Sequence, residues 1–429
     1  MKRHAKHVCT FIAAAVLAVA VPACAPGHGR HTQEFRENAE RRMTQMKAAT
    51  TWDMAQQQFL AGDLEKALRS VDESLTLQEG VAKSHVLRGR ILVEMGRLEM
   101  ALHAFDRAVA IDPNCTDAFY YRGIVLERFG RYPEAFESYS LAANLDPTNP
   151  QHTVAAAEML MQSGRLDEAR TMLESKSGDF SLNAGVKQTL GHIAFMQGDT
   201  QKAQRLFREA ALLAPDEPAI LEDLARAQMA NEDFREAEQS LRRLLDMPEN
   251  AARRDLMHLR ADCLRELDRP VDARTILLQL ISLGDSGTTD VSAWIKLGLI
   301  SALLEEPGRL REAGSRVVAL APDRFEGYYL LALWNRTRGD MKAALSNLEK
   351  SCERLSNVSD CADAVADRSL ALEPLLLRAV VLDELGRRDE ARTQLVDVLA
   401  HAPDEERAAR LLAEWSKPGS ALAEVNTEQ

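Results

Sequence analysis

Alanine recurs at Ala67, Ala101, Ala135, Ala169, Ala203 and Ala237, each 34 residues after the last, and glycine keeps the same step at Gly62, Gly96, Gly130, Gly164 and Gly198. A fixed period of roughly 20–50 residues marks a repeat architecture, in which one supersecondary unit cannot bury its apolar face alone and neighbours must stack. The period therefore constrains the fold before any local motif is considered.

Each unit reads as two helices. In the third, Thr116–Arg128 is the first helical stretch and Pro133–Leu145 the second, with Gly130 in the turn and Pro147 at the end. The turn glycine ends one helix and the late proline stops the other. Pro113, Pro215, Pro322 and Pro403 occupy the same terminal position. The alanines open the second helix, and the facing position on the first is also small: Ala55, Gly89, Gly123, Ala157, Gly191 and Ala225. Four residues after each alanine comes a bulky side chain on the same helix face: Val71, Phe105, Tyr139, Leu173, Phe207 and Leu241.

This pattern, a small residue, then A-x3-F, then P on a 34-residue step, resembles the tetratricopeptide-repeat (TPR) family. Trp294-x2-Leu297-Gly298 matches the family's opening signature. The resemblance implies an all-α, right-handed α-solenoid of about ten helix-turn-helix units over residues 48–403. The units start near residues 48, 82, 116, 150, 184, 218, 254, 291, 325 and 372, with an insertion near 356–371. Ala273, Ala344 and Ala391 carry the key position in units seven, nine and ten. Unit eight departs: Leu310 replaces the alanine, and Pro307-Gly308 suggest a disturbed turn. Glu405–Trp415 reads as a capping helix within residues 404–416, and 417–429 as a disordered tail.

The first residues read differently. Lys2, Arg3 and Lys6 precede an apolar stretch from Val8 to Val21, too short for a comfortable span and ended by Pro22. Residues 1–23 are expected to be a signal peptide. Val21-Pro22-Ala23-Cys24 resembles a bacterial lipoprotein cleavage box, which implies acylation at Cys24 and, with Ala25 following, an outer-membrane address facing the periplasm. Cleavage after Ala25, leaving a soluble periplasmic protein, and a retained anchor are the alternatives. Residues 24–47 are expected to be a tether and a leading helix, helical from Glu34. His28 and His31 in the tether lack a third ligand.

The net charge is −12, and −15 without residues 1–23, which hold three Lys or Arg and no acid. With no basic run along one face, nucleic acid is not an expected partner. Cys263 is expected in the core. Cys352 and Cys361 flank part of the insertion, and an exported compartment permits a bridge between them or two unpaired thiols.

The chain shows no HExxH helix, phosphate loop, dinucleotide fingerprint or CxxC pair. Gly284-Asp285-Ser286-Gly287 matches a nucleophile loop for four residues only and is expected to be a flexible turn. Neither an enzyme, nor a cofactor, nor a small-molecule substrate is expected. In TPR proteins the first helices line a concave groove, and the resemblance places the second, fifth, ninth and twelfth residues of each unit there. In units eight to ten these turn apolar: Ile295, Leu299, Tyr329, Leu333, Leu376 and Val380. A shared apolar register over three units points to a protein or peptide partner. The Lys/Asn clamp with which some TPR proteins take chaperone tails is missing, since those positions carry Trp52, Gln56, Val86, Arg90, Tyr120 and Ile124. The expected function is a scaffold at the cell envelope that assists assembly of a pilus or polysaccharide-export machine. The alternative is an accessory subunit of an envelope glycan-processing enzyme.

Overall fold

The computed structural model describes residues 30–176, 178, 180–359 and 368–415. The expected leader, Cys24, the tether up to residue 29, Cys361 and the tail 417–429 lie outside those residues. Among the described residues every regular element is an α-helix. The chain divides into two compact units, Met1–Ala169 and Arg170–Gln429.

In the first unit α1 (Arg30–Leu60) pairs with α2 (Leu64–Leu77), α3 (Ala82–Glu94) with α4 (Leu98–Ile111), and α5 (Thr116–Arg128) with α6 (Tyr132–Leu145). α7 (Pro150–Gln162) follows, and the division between units falls within α8 (Leu166–Ser175). The second unit pairs α9 (Ala184–Met196) with α10 (Thr200–Leu213), α11 (Pro218–Ala230) with α12 (Phe234–Leu245), and α13 (Arg254–Glu266) with α14 (Pro270–Ile281). After the one-turn α15 (Asp285–Thr288) come α16 (Val291–Leu303) with α17 (Pro307–Leu320), and α18 (Phe325–Thr337) with α19 (Met341–Ser359). α20 (Arg368–Glu384) pairs with α21 (Arg388–His401), and α22 (Glu406–Trp415) packs on α21. Within each unit helices pack on their chain neighbours, and first helices touch the next first helix, as α3 touches α5 and α16 touches α18. Each unit is thus an all-α stack of helical hairpins, as the repeat implies.

One turn joins the two helices of every hairpin. A residue with positive φ ends the first helix, and the amide after it donates to the carbonyl five residues back: Arg97 to Leu92 at 2.8 Å, Arg131 to Leu126 at 2.9 Å, Asp199 to Ala194 at 3.0 Å. That is a Schellman closure, for which glycine costs least. Yet Glu232 (φ 61°), Asp268 (φ 55°) and Glu305 (φ 54°) hold the same place and make the same bond. A left-handed non-glycine residue costs about 1–2 kcal/mol, against roughly 0.5–1 kcal/mol of extra chain entropy for glycine. Glu232→Gly is therefore expected to stabilise its unit by about 0.5–1 kcal/mol, read as a higher urea midpoint. An unchanged or lower midpoint would show that the left-handed carboxylate residue is not strained.

The core is built from a size rule between residues 16 apart in one hairpin. Ala67, Ala101, Ala135, Ala169, Ala203 and Ala237 are all 0% exposed. Where the bulky partner is aromatic, the facing residue is glycine. A Cβ on Gly89 would stand 2.5 Å from the Phe105 ring, on Gly123 2.6 Å from Tyr139, and on Gly191 2.6 Å from Phe207. Where it is aliphatic, the facing residue is alanine: Ala55 with Val71, Ala225 with Leu241, Ala261 with Leu277, Ala332 with Leu348, Ala379 with Leu395. All of these are buried.

The structure corrects three expectations. The turn before Pro307 is not disturbed: Glu306 donates to the Ser301 carbonyl at 2.8 Å as in the other hairpins, and Pro307 sits in the first turn of α17, where no amide is needed. What departs in this repeat is the packing. Leu310 is buried where others have alanine, Gly314 stands at the bulky place, and the Cβ space of Gly298 is filled by Leu330 at 2.5 Å. Gly284-Asp285-Ser286-Gly287 is not an open turn, since α15 starts within it and Gly287 is buried against the Leu280 carbonyl. Helix α1 starts at Arg30 rather than Glu34 and runs unbroken into the first repeat. The residues around the insertion lengthen α19 and α20, placing half-buried Cys352 on a helix. Cys263 is 0% exposed, and Ala408 and Trp415 of α22 close one core cluster.

Candidate partner-binding surface

In the second unit the first helices α9, α11, α13, α16, α18 and α20 carry a row of side chains at one register, and the row changes character along its length. Its first half is polar and cross-linked. Asp223 accepts from Gln188 Nε2 at 2.7 Å and pairs with His192 Nε2 at 2.7 Å. Glu222 takes Arg226 and Arg253, both at 2.7 Å, and the Arg253 bond, ahead of burial, holds its carboxyl below the usual range. Asp290 caps α16 through the Ala293 amide at 3.0 Å and receives His258 at 2.9 Å and Arg254. Lys296 reaches Asp262 at 2.6 Å. Apart from the Glu222–Arg226 pair within α11 and the Asp290 cap of α16, these ties span neighbouring repeats, so the charges are largely neutralised in place. Such a row fixes geometry more than it attracts charge.

The second half is apolar. Ile295, Tyr329 and Leu376 are buried at 6%, 6% and 2% exposure, so half of the six expected groove residues belong to the core. Burial pushes the Tyr329 phenol well above its ordinary pKa. Leu299, Leu333 and Val380 are half-buried, and the first two pack against two core clusters at once. In these three repeats the fifth position turns inward, while the ninth, one turn further along the same helix, stays half-buried. Ion pairs edge the strip: Lys296 with Asp262, Arg336 with Glu384 at 2.7 Å, and Arg407 with Glu373. Trp334 lies beside it, with the Arg311 and Arg338 guanidinium groups each 5.1 Å from its ring.

The first unit differs. Arg90 lies over the rings of Phe59 at 5.2 Å and Tyr121 at 4.8 Å, and Tyr120 meets His152 edge-on at 5.0 Å. Tyr139 Oη donates to Glu127 at 2.8 Å. Among the described residues no group of three or more His, Cys, Asp or Glu could hold a metal ion. The side chain of Ser286 lies outside the described set. Sequence reading missed the tie of Asp290 to Arg254 and His258. Its signal was an aspartate directly before an apolar helical run, which marks a helix cap and does not reveal the basic residues of the preceding repeat.

Three tetratricopeptide-repeat family models match the chain, at residues 86–150, at 194–257, and at 48–73, 150–175 and 372–397. No curated protein matches it. Among solved structures, it is similar to a tetratricopeptide repeat protein from Parabacteroides merdae, with 14% identity over 59% of this chain and 99% of that one, at TM-score 0.44. It is also similar to PilF of Pseudomonas aeruginosa, with 20% identity over 49% and 96%, at TM-score 0.41. YrrB, described as a TPR protein with an unusual peptide-binding site, shares 22% identity over 45% and 97%, at TM-score 0.36. With the repeat models falling on helical hairpins that share one turn and one packing rule, the chain belongs to the tetratricopeptide-repeat family, whose members are in general non-catalytic scaffolds that take protein or peptide segments into a groove.

Proposed function

We propose that this protein is an exported envelope scaffold, carried on a lipid at Cys24 on the periplasmic side of a bacterial outer membrane. It holds a partner protein through the apolar half of the row in its second unit. The observation that carries the reading is the half-buried strip Leu299, Leu333 and Val380, at one register over three repeats and edged by ion pairs. An apolar floor with charged edges accepts the apolar ridge of a helix or an extended segment. The ordered acid–base ties in the first half leave it less suited to a charged tail. The repeats, and the likeness of Val21-Pro22-Ala23-Cys24 to a lipoprotein cleavage box, support a role in assembling a larger machine at the envelope, such as a pilus or a polysaccharide-export apparatus.

The test is in-cell crosslinking from a photoreactive residue at Leu333, with Val396, exposed on the second helix of the next repeat, as the control position. A discrete protein adduct in the envelope fraction is expected at 333 and not at 396. Leu299→Glu should remove that adduct while the circular dichroism of the chain stays unchanged. An undiminished adduct in Leu299→Glu, or equal yields at 333 and 396, would overturn the groove assignment.

A further inference from the structure

Nothing among the described residues packs on the N-terminal half of α1. From Gln33 to Lys47 every residue is exposed, including Phe35 at 76%, Met43 at 61% and Met46 at 71%. At about 100° per residue, Phe35, Ala39, Met43 and Met46 fall within roughly 80° of the helix circumference. Arg42 borders this stripe on one side, and Arg36 and Lys47 border it on the other. Glu34 and Glu37 lie on the remaining arc, with Glu40 nearer the Arg36 edge, where it pairs with Arg36 at 3.0 Å.

The stripe does not continue the repeat core. Farther along the same helix the buried residues are Ala48 and Ala55. Extended back along the helix, their face carries Glu34, Glu37 and Arg41. A further repeat stacked on α1 would meet charge there, while the apolar stripe points away from it.

We propose that the N-terminal half of α1 lies along an anionic lipid surface. Phe35, Met43 and Met46 enter the boundary between headgroups and acyl chains, and Arg42 on one edge and Lys47 on the other reach phosphates. Charge selects this occupant over a second copy of the chain. Basic residues stand on both edges of the stripe, so two stripes facing each other would oppose like charges, whereas anionic headgroups complement both edges. The chain as a whole carries −12, which confines its attraction to such a surface to local features of this kind. The 29 residues before α1 place Cys24 six residues from the helix, within about 20 Å even if fully extended. The setting rests on the envelope reading above; the stripe itself does not.

The full chain is tested with benzoylphenylalanine replacing Met43 or, on the opposite arc, Glu37. It is mixed with phosphatidylcholine vesicles with or without phosphatidylglycerol. Position 43 should give phospholipid adducts, several-fold more with phosphatidylglycerol, and position 37 should not. Arg42→Glu with Lys47→Glu should abolish the gain from the anionic lipid. Equal lipid yields at 43 and 37, or an adduct at 43 to a second copy, would overturn the proposal. Flotation separates the two readings. A chain that floats with vesicles but gives no lipid adduct at 43 keeps its envelope address and loses this surface, and a chain that does not float loses both.

Discussion

Replacing Gly89 with alanine lowers the stability of the first unit by about 1–2 kcal/mol, and adding Phe105→Leu to the same chain restores most of it. The sign is what makes the result informative. Gly89 sits inside α3, where alanine is favoured over glycine by about 0.8–1 kcal/mol on helix propensity alone. A new methyl group would, however, stand 2.5, 2.6 and 2.8 Å from three atoms of the Phe105 ring. That ring is 0% exposed within a core cluster and has no room to swing aside. Overpacking of this kind costs roughly 1–3 kcal/mol, enough to reverse the propensity gain. Phe105→Leu alone leaves a gap and should cost about 1–2 kcal/mol. The double variant recreates the alanine–leucine pairing native to Ala225 and Leu241, so a coupling of about 2–3 kcal/mol is expected from urea unfolding of the four chains. Additive losses, or a stabilised Gly89→Ala, would mean that the two positions do not share one space.

Much of this fold was legible in the sequence because a repeat states its own geometry many times. The step from Ala67 to Ala237 located the hairpins, and the glycines from Gly62 to Gly198 located the turns. The turns at Glu232, Asp268 and Glu305 were harder to see, since glutamate carries no left-handed signature and aspartate a weaker one than glycine. Pro307 misled for a related reason. A proline near a turn reads as disruption, yet in the first turn of a helix its missing amide is no loss. The candidate surface was half legible. Register alone grouped Ile295 with Leu299 and Tyr329 with Leu333, but which member of each pair turns inward depends on how neighbouring helices pack. The ties between repeats were not legible, because Asp223 finding His192, or Asp290 finding Arg254, requires two helices some thirty residues apart to be brought side by side.

Asp290→Ala should cost the second unit about 3–4 kcal/mol, and Asp290→Asn about half as much. The carboxylate serves three donors: the Ala293 amide at the start of α16, His258 Nε2 and the Arg254 guanidinium. Its side chain is only 8% exposed. Alanine removes the helix cap, worth about 1 kcal/mol, and leaves a partly buried arginine and histidine without their acceptor, which costs more than the cap does. Asparagine keeps Oδ1 for the Ala293 amide, and so the cap, but sets an NH2 donor where Oδ2 served Arg254 and His258. The pH dependence follows from the same contacts. Burial pushes the carboxyl up, but the hydrogen bonds from Arg254, His258 and Ala293 together outweigh it and hold the pKa at about 2, below the ordinary 3.8. A depressed folded pKa contributes stability that is complete above the unfolded value and is lost as pH falls through the folded one. The contribution is about 2 kcal/mol, present at neutral pH and fading from near pH 4 toward pH 2. The stability gap between the parent chain and Asp290→Asn should narrow by that amount over this window. Hydrogen exchange of the α13 and α16 amides can follow it, since those helices carry the tie. A gap that stays constant from neutral pH to pH 2 would show that the carboxylate is not what joins these two repeats.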